Sequence, residues 1–362
     1  MSALTPQGIN HQRQRVFNRG LIFQLLATED SMSRTELANR SGLTKMTLSN
    51  IIADFIQRGY VIEYTEKSPG PHNPIKLAIS PQAPKVVGVM IHRTHVSAAL
   101  CDLRLNVLES RRVAIETYDE EALIHTAFQL TDEMVARDQV LGIGIASVGP
   151  VDINNGVILN PPNFCGLHDI PVAGRFRRRY DLPVYFNHHL NCNALAERFY
   201  GNGRAYHDFI FLCVDHDINL GIVTGNQLYN DSTGFSSEIG RVLVNYMGPG
   251  MGGEYLGGVG DYIRFELCQD NPNRLFYMVD MLAAVMGGIC DLLNPQAIIL
   301  GGEEGLFGPE QAKQFATALN QRLAIHAYRH IDVLPAFRTQ NLEASSSAIS
   351  VIRQIFKGEL LV

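Results

Sequence analysis

The sequence predicts an α/β protein that begins with a winged helix-turn-helix, and three observations lead to this fold class. Three short helical segments come first, with a Gly-containing turn between the second and the third. Two extended stretches follow, separated by a loop rich in Pro and Gly. From Lys85 onward, predicted strands alternate with predicted helices, as in α/β folds. We therefore expect a head at residues 1–80, a linker over Ser80–Pro84 and a body at residues 85–362.

The head contains start and stop signals for each helix. Its first helix is predicted over His11–Ala27, with an apolar face formed by Phe17, Leu21, Leu25 and Leu26. A second helix begins at Ser33, because Ser33 and Glu36 have the spacing of a capping box. It ends near Gly42, a residue suited to a left-handed helix terminus.

The third helix is predicted from the cap residue Thr44 to about Arg58, before Gly59. Its apolar positions share one face at helical spacing: Leu48, Ile51, Ile52, Phe55 and Ile56. Two strands then follow, Tyr60–Thr65 and Ile75–Ile79, and the loop between them predicts a wing.

The polar side of the third helix predicts DNA binding. Met46, Asn50, Ala53 and Gln57 lie opposite the apolar face, flanked by Lys45, Thr47 and Ser49. A helix N-terminus with such residues can contact phosphates and base edges in the major groove, and Asn can pair with adenine. The predicted DNA-binding residues are Ser33, Arg34, Thr44, Lys45, Met46, Thr47, Ser49 and Asn50. The alternative is a small helical dimerisation domain with a solvated face, and the adjacent wing favours DNA.

Charge and cysteine usage support this organisation. The chain of 362 residues has a net charge of −6, but residues 1–80 carry +3 and the rest −9. A basic end on an acidic body is expected where one end meets phosphates. The six cysteines form no CxxC pair, which favours reduced thiols in a cytoplasmic protein. We expect neither a membrane span nor a secretory signal.

The body is predicted to alternate strands with helices. The predicted strands are Val86–Cys101, Leu105–Ile115, Val140–Ser147, Val184–Phe186 and Phe209–Val214. The predicted helices are Glu120–Arg137, Asn191–Tyr200, Leu275–Leu293, Pro309–Ile325 and Leu342–Phe356.

Several motifs resemble those of the repressor branch of the ROK family (repressors, open reading frames, kinases). In the head they are Ile9-Asn10, Ser33–Ala38, Ser41–Ser49 and Gly59–Val61. In the body they are Gly142–Asp152, Pro162-Asn163, Gly234–Gly240 and Asn294–Gly302, with Ser237 where the family usually has Gly. The resemblance spans nearly the whole chain. It implies that the winged helix-turn-helix is followed by a two-lobed, actin-like (ribonuclease H-like) sugar-kinase fold.

The resemblance also indicates what this chain lacks. The family's kinases carry Asp-x-Gly-Gly-Thr at the first phosphate loop, where this chain has Met90–Thr94, with His92 and Arg93 in place of the glycines. The second loop, Val214–Gly221, lacks the family's glycines and adds Asp215 and Asp217, which would repel phosphate. His189 stands at the family's general-base aspartate. We expect no catalytic residues and no catalysis.

The family's zinc site is also missing from the sequence. Arg241 stands where zinc-containing members have a histidine, and Met247–Glu254 contains none of their clustered cysteines. Without thiolates at that spacing we expect no metal site and no cofactor. The adjacent pair His188-His189 is interpreted as pocket lining.

Polar residues at the positions that surround a sugar in relatives predict an effector site: Asn163, His188, His189, Glu238, Arg241 and Glu254. Such groups suit a hydroxyl-rich or anionic ligand, and Arg241 beside the histidines would suit a phosphorylated or carboxylated sugar. The alternative is a vestigial pocket in which these residues only satisfy one another.

The sequence therefore predicts a transcriptional repressor of carbohydrate-related genes. Its partners would be an inverted-repeat operator in double-stranded DNA, a sugar or sugar derivative bound between the lobes of the body, and a second copy in a homodimer or tetramer, without a membrane. Two alternatives remain open. One is a sugar kinase with an appended DNA-binding head, and the other is a repressor controlled by a protein partner without a small ligand.

Overall fold

The structure is a computed structural model. It describes residues 10–66, 74–115, 119–160, 164, 166–214, 218–229, 239–242, 257–267, 274–302, 308–337 and 342–361. The chain divides into two compact units. Unit 1 comprises Met1–Ile145, Val172–Phe186 and Ser347–Val362, and unit 2 comprises Ala146–Pro171 and Asn187–Ser346.

The head consists of three helices and a two-stranded antiparallel sheet, as predicted. Its elements are α1 (His11–Thr28), α2 (Arg34–Ser41), α3 (Lys45–Gln57), β1 (Val61–Thr65) and β2 (Ile75–Ile79). The capping box is confirmed: the Glu36 amide donates to Ser33 Oγ at 3.2 Å, and the Ser33 amide donates to Glu36 Oε2 at 2.6 Å. Gly42 is left-handed with φ +68°, and Thr44 caps α3.

The predicted apolar face of α1 was partly wrong. Leu26 is buried as predicted, but Phe17 is 63% exposed and Leu21 and Leu25 are only partly buried. Ile22 and Phe23, which the prediction omitted, are fully buried. Phe23 packs edge-on against Phe55 of α3, at 5.6 Å between ring centroids. Hydrophobicity alone does not show which face of α1 is buried, because apolar residues occupy several of its faces.

The body elements alternate largely as predicted. In chain order they are β3 (Lys85–Ile91), β4 (His95–Cys101), β5 (Val107–Ala114), α4 (Glu120–Val135), β6 (Val140–Ser147), β7 (Val151–Asp152), β8 (Val157–Ile158), α5 (Val172–Arg179), β9 (Val184–His188), α6 (His189–Tyr200), β10 (Phe209–Val214), β11 (Ile218–Thr224), β12 (Gln227–Leu228), α7 (Val259–Leu267), α8 (Arg274–Leu293), β13 (Ala297–Gly302), α9 (Pro309–Arg322), β14 (Asp332–Pro335) and α10 (Leu342–Phe356). The described residues also include short 3₁₀ helices at Asn202–Ala205, Ile239–Arg241 and His326–Tyr328.

The described part of the body contains a two-stranded sheet of β7 and β8 and two five-stranded sheets, which both have the same strand order. One is ordered β5-β4-β3-β6-β9 and the other β12-β11-β10-β13-β14. Counted along the chain within each sheet, both read 3-2-1-4-5. In both sheets the first strand along the chain forms an antiparallel hairpin with the second. In the sheet that contains β10, strand β13 lies parallel to β10. This repetition confirms the duplicated α/β architecture.

The expectation of a single strand over Val86–Cys101 was wrong. The chain turns between Ile91 and His95, and β3 and β4 pair as a hairpin. All seven residues of each strand are buried. A continuous buried run shows no alternation, so hydrophobicity alone does not reveal the turn.

The core of unit 2 is formed by α7, α8 and α9 packed on the β10–β13 sheet. Helix α8 is long and apolar enough, over Leu275–Leu293, to cross a membrane by length and composition. Its residues Leu282, Ala283 and Met286 are fully buried in this core. The core helix of a large domain has the same composition.

Candidate functional site

The N-terminal half of α3 is the candidate nucleic-acid interface. Lys45, Met46, Ser49 and Asn50 are exposed and Thr47 is partly exposed, while Leu48 is buried in the head. Met46 is 77% exposed. Because Leu48, Ile52 and Phe55 anchor the opposite face, the polar face of α3 is fixed toward solvent.

Four of the predicted DNA-binding residues also have contacts within the head. Ser33 caps α2, and Arg34 forms an ion pair with Glu63 on β1. Thr44 accepts a hydrogen bond from the Thr47 amide at 3.3 Å, and the two threonine hydroxyls lie 3.0 Å apart. These contacts fix the turn that leads into α3.

The wing is attached to α2 through Glu36. Lys76 on β2 lies 3.1 Å from Glu36 Oε2. Hydrogen bonds from the Ser33 amide and hydroxyl, with Lys76 nearby, lower the pKa of Glu36 from 4.5 to about 2. The same carboxylate therefore caps α2 and binds β2.

A polar cleft of about 420 Å³ lies between α1 and α3. Its α3 side includes Thr47 and Asn50. Its α1 side includes residues that the sequence did not assign to the interface: His11, Gln14, Arg15 and Asn18. The basic residues of α1 were visible in the sequence, but only the packing shows which of them share a face with Asn50.

Arg19 and Asp54 form the floor of this cleft. The Arg19 side chain is 6% exposed and lies 2.5 Å from Asp54 Oδ2, with its guanidinium 5.0 Å from the centre of the Phe55 ring. Burial alone would raise the pKa of Asp54, but the hydrogen bond from Arg19 and the charges of Arg19 and Arg58 lower it below its usual value.

The turn between β3 and β4 is filled by side chains. The His92 amide donates to the His95 carbonyl at 2.9 Å, and both imidazoles are buried, with ring centroids 4.6 Å apart. Thr94 Oγ1 lies 3.1 Å from Nδ1 of each histidine. Arg112 donates to His95 Nδ1 at 3.1 Å. Side chains therefore fill the turn that the sequence resemblance matches to the first phosphate loop of the family's kinases, where glycine backbone would face the phosphates.

Of the segment Val214–Gly221, which the resemblance matches to the second phosphate loop, the structure describes Val214 and the residues from Ile218 onward. Strands β10 and β11 pair up to Val214 and Ile218, and Asp215 and Asp217 lie outside the described residues. Gly221 on β11 packs against α6, where an added β-carbon would lie 2.7 Å from the Leu190 carbonyl oxygen.

Of the predicted effector-binding residues, His188, His189 and Arg241 are described, and Asn163, Glu238 and Glu254 lie outside the described residues. His188 caps α6, since its Nδ1 accepts from the Leu190 amide at 3.3 Å. The His188 and His189 rings are partly buried, 4.8 Å apart. Arg241 is exposed at the end of a 3₁₀ helix.

Strand β11 lies beside both described parts of the predicted effector site. Its residue Gly221 contacts α6 beside His189, and its residue Ile218 lies 3.7 Å from a β-carbon built on Gly240, next to Arg241. Among the described residues no three His, Cys, Asp or Glu side chains converge as metal ligands do. The absence of a zinc site remains a prediction.

The fold and the candidate interface define a winged helix-turn-helix protein with a duplicated α/β body. Comparison with known proteins agrees. Residues 86–254 match the ROK family model. The xylose repressor of Caldicellulosiruptor bescii is 22% identical in an alignment 369 positions long, which covers 90% of this chain and 92% of that protein.

Solved structures share the fold. A ROK family transcriptional regulator, a homologue of the E. coli MLC protein, superposes with a TM-score of 0.78 at 18% identity, covering 96% of this chain and 98% of that one. A ROK family glucokinase from Streptomyces griseus, in complex with glucose and AMPPNP, has a TM-score of 0.65 at 20% identity, covering 75% and 99%. The body therefore has the actin-like sugar-kinase fold of these structures, and residues 86–254 are similar to the ROK family.

Proposed function

We propose that this chain is a cytoplasmic transcriptional repressor of carbohydrate-related genes. A DNA-binding domain at residues 1–80 binds an operator, and a body at residues 85–362 binds a sugar or sugar derivative that changes operator affinity. The observation that carries this proposal is the exposed polar N-terminal half of α3, held outward by buried Leu48, Ile52 and Phe55. The relative named a xylose repressor and the structural likeness to a ROK transcriptional regulator support it.

The DNA interface in this proposal consists of Ser33, Arg34, Thr44, Lys45, Met46, Thr47, Ser49 and Asn50. Lys45 would contact phosphates, and Asn50 would read a base edge in the major groove. The cleft between α1 and α3 adds Arg15, which is exposed beside Asn50 and would contact the neighbouring phosphate backbone.

Binding without phosphorylation is the second part of the proposal. Phosphoryl transfer depends on backbone and metal groups that position and neutralise the nucleotide phosphates. In this chain the buried His92 and His95 rings fill the turn between β3 and β4. His189 stands in place of the carboxylate that would accept the proton of the sugar hydroxyl. The structural likeness to a glucokinase is a likeness of fold.

We assign the effector site to His188, His189 and Arg241, together with Asn163, Glu238 and Glu254. The two histidines and Arg241 supply donors for hydroxyl or anionic groups, and both parts of the site adjoin β11. The ligand must prefer one of two conformations of the protein in order to change operator affinity.

A homodimer is the third part of the proposal, because symmetric half-sites require two symmetric recognition helices. Unit 2 has an exposed apolar patch suited to a second copy, formed by Leu292, Ile325 and Tyr328, which are 82%, 73% and 91% exposed. Asp291, next to Leu292, connects the end of α8 to the segment that carries Ile325 and Tyr328. It accepts a hydrogen bond from the Ala324 amide at 3.2 Å and forms an ion pair with Arg329 at 2.7 Å. Apolar side chains that cluster at a surface mark association sites.

The test is a thermal-shift screen followed by operator release. The purified chain is screened against free and phosphorylated pentoses and hexoses, xylose and glucose among them. Ligands that raise the melting temperature are then added to the chain bound to a duplex selected from random DNA. Selection of an inverted repeat, and its release by a stabilising sugar, are expected. Failure to enrich any DNA sequence would contradict the proposal.

A further inference from the structure

The last residue of α10 and the five residues after it, residues 356–361, pack directly on α1 of the head; we name them the docking segment. Its backbone approaches α1 so closely that only glycine fits at two positions. A β-carbon on Gly20 of α1 would overlap the Phe356 carbonyl oxygen. A β-carbon on Gly358, whose φ is +85°, would overlap the Val16 carbonyl oxygen. Leu361 is completely buried.

One arginine joins the docking segment to the recognition helix. Arg19 donates from Nη2 to the Leu361 carbonyl oxygen at 2.6 Å and to Asp54 on α3 at 2.5 Å. Arg58, just after α3, also donates to the Leu361 carbonyl, at 3.4 Å. The orientation of α3 is thus tied through Arg19 to a backbone atom far along the chain.

Arg19 is poorly placed for any other role. It is 5% exposed, and its Nη2 already donates to Asp54 and to the Leu361 carbonyl, so a DNA phosphate would have to compete with both. An apolar residue of similar size would fill the same space without the desolvation of a charge. What the guanidinium adds is direction, because its planar donors fix the relative positions of the Leu361 carbonyl and the Asp54 carboxylate.

Helix α10 gives the docking segment a connection to the rest of the body. Its first residues, up to Ser346, belong to unit 2, and the remainder belongs to unit 1. Within unit 1 it lies close against β6, where a β-carbon on Gly144 would overlap the Ser347 carbonyl oxygen. The chain therefore passes along α10 from unit 2 into the part of unit 1 that ends in the docking segment.

We propose that the docking segment, acting through the positioning residue Arg19, sets the orientation of α3 relative to the body. The spacing at which two heads meet DNA would then be a property of the body. This inference rests on the proposed function, since it concerns how that same DNA interface is presented. It assigns to residues 356–361 and Arg19 a role in the selection of half-site spacing.

The test compares Gly20→Ala and Arg19→Gln with the wild-type chain, using Gly288→Ala as the matched control. Gly288 is also a helical glycine, but a β-carbon there meets nothing within 4 Å. Binding is measured to three duplexes: the selected inverted repeat, the same repeat with about five base pairs inserted, which is half a helical turn, and a single half-site.

We expect both head variants to lose at least about tenfold of the preference for the correct spacing, because rigid linkage of two modules contributes roughly 10²- to 10⁴-fold to avidity. Their half-site affinity should stay within about twofold of wild type, since the base and phosphate contacts remain intact. Gly288→Ala should keep the full preference. Wild-type spacing preference in both head variants would overturn the proposal.

Hydrogen exchange gives a readout that needs no DNA. In both head variants the amides of Gly358 and Glu359, which donate to Ile355 and Gln354, should exchange at least about tenfold faster than in the control, because the local opening free energy falls. Unchanged exchange would overturn the docking role. If the wild-type chain selects no DNA while exchange accelerates as expected, the proposed function fails and the docking of the head stands.

Discussion

Arg19 on α1 and Asp54 on α3 form an ion pair of 2.5 Å in which the arginine side chain is 6% exposed and the aspartate 30%. The pair lies beneath the cleft that Asn50 opens onto. Arg58 adds a second contact to the same carboxylate, at 3.2 Å. The carboxylate thus holds α1 and the end of α3 together directly below the candidate DNA interface.

Asp54→Asn should destabilise the head. Removing the carboxylate leaves the buried Arg19 charge uncompensated, so we expect a loss of about 3 kcal/mol in the free energy of unfolding. Urea denaturation followed by circular dichroism measures it, since the chain has no tryptophan. The control is Glu29→Gln, which breaks the more exposed pair with Arg40 and should cost less than about 1 kcal/mol. Equal losses in the two variants would show that burial of Arg19 is unimportant.

Acid should remove the contribution of the Glu36 capping box. The pKa of Glu36 is lowered to about 2 in the folded chain, from 4.5. A lowered carboxyl pKa stabilises the fold at pH values above 4.5, and this contribution declines as the pH falls from 4.5 toward 2. The difference in unfolding free energy between wild type and Glu36→Gln should therefore be constant from pH 8 to about 6 and shrink below about pH 4.5. A difference that grows in acid would contradict this account.

The head could be predicted closely because its signals are local. Ser33 and Glu36 are three residues apart, and Gly42 and Thr44 delimit the turn before α3. The docking segment could not, because the Arg19–Leu361 contact joins residues 342 positions apart. In the sequence Arg19 is one more basic residue of the head, and only packing reveals that it is buried.

The candidate effector site was predicted through family resemblance and not from residue patterns. His188 and His189 are adjacent in the chain, which says nothing of their distance from Arg241. In the structure Leu190, next to His189, packs against Gly221 of β11, and Gly240, next to Arg241, lies near Ile218 of the same strand. The turn at His92 was hidden for a different reason, since β3 and β4 are buried on both faces and show no alternation.

The wild-type chain should not hydrolyse ATP in the presence of pentoses or hexoses. Restoring the carboxylate by His189→Asp should not produce turnover, because the buried His92 and His95 rings still fill the turn between β3 and β4. A coupled ADP-release assay on both proteins checks this. Sugar-dependent ADP release by the wild-type chain would establish a kinase with a DNA-binding head.

Arg241→Ala should separate effector response from DNA binding. The arginine is exposed in unit 2, outside the head, so operator affinity without sugar should stay within about twofold of wild type. Sugar-induced release should be weakened at least about tenfold, as expected when one charged partner of a ligand is removed. Arg178→Ala, an exposed arginine of α5, is the control. Normal release by Arg241→Ala would place the effector elsewhere.

The salt dependence of binding to matched and scrambled duplexes tests most directly whether α3 reads DNA. The wild-type chain, Lys45→Ala and Asn50→Ala are titrated with the selected inverted repeat and with its scrambled sequence at several salt concentrations. Lys45→Ala should weaken binding to both duplexes and reduce the salt slope by about one per head. Asn50→Ala should lose roughly 1–3 kcal/mol on the selected repeat alone. Equal losses on both duplexes from Asn50→Ala, or unaltered binding by Lys45→Ala, would contradict the assignment of α3 as the recognition helix.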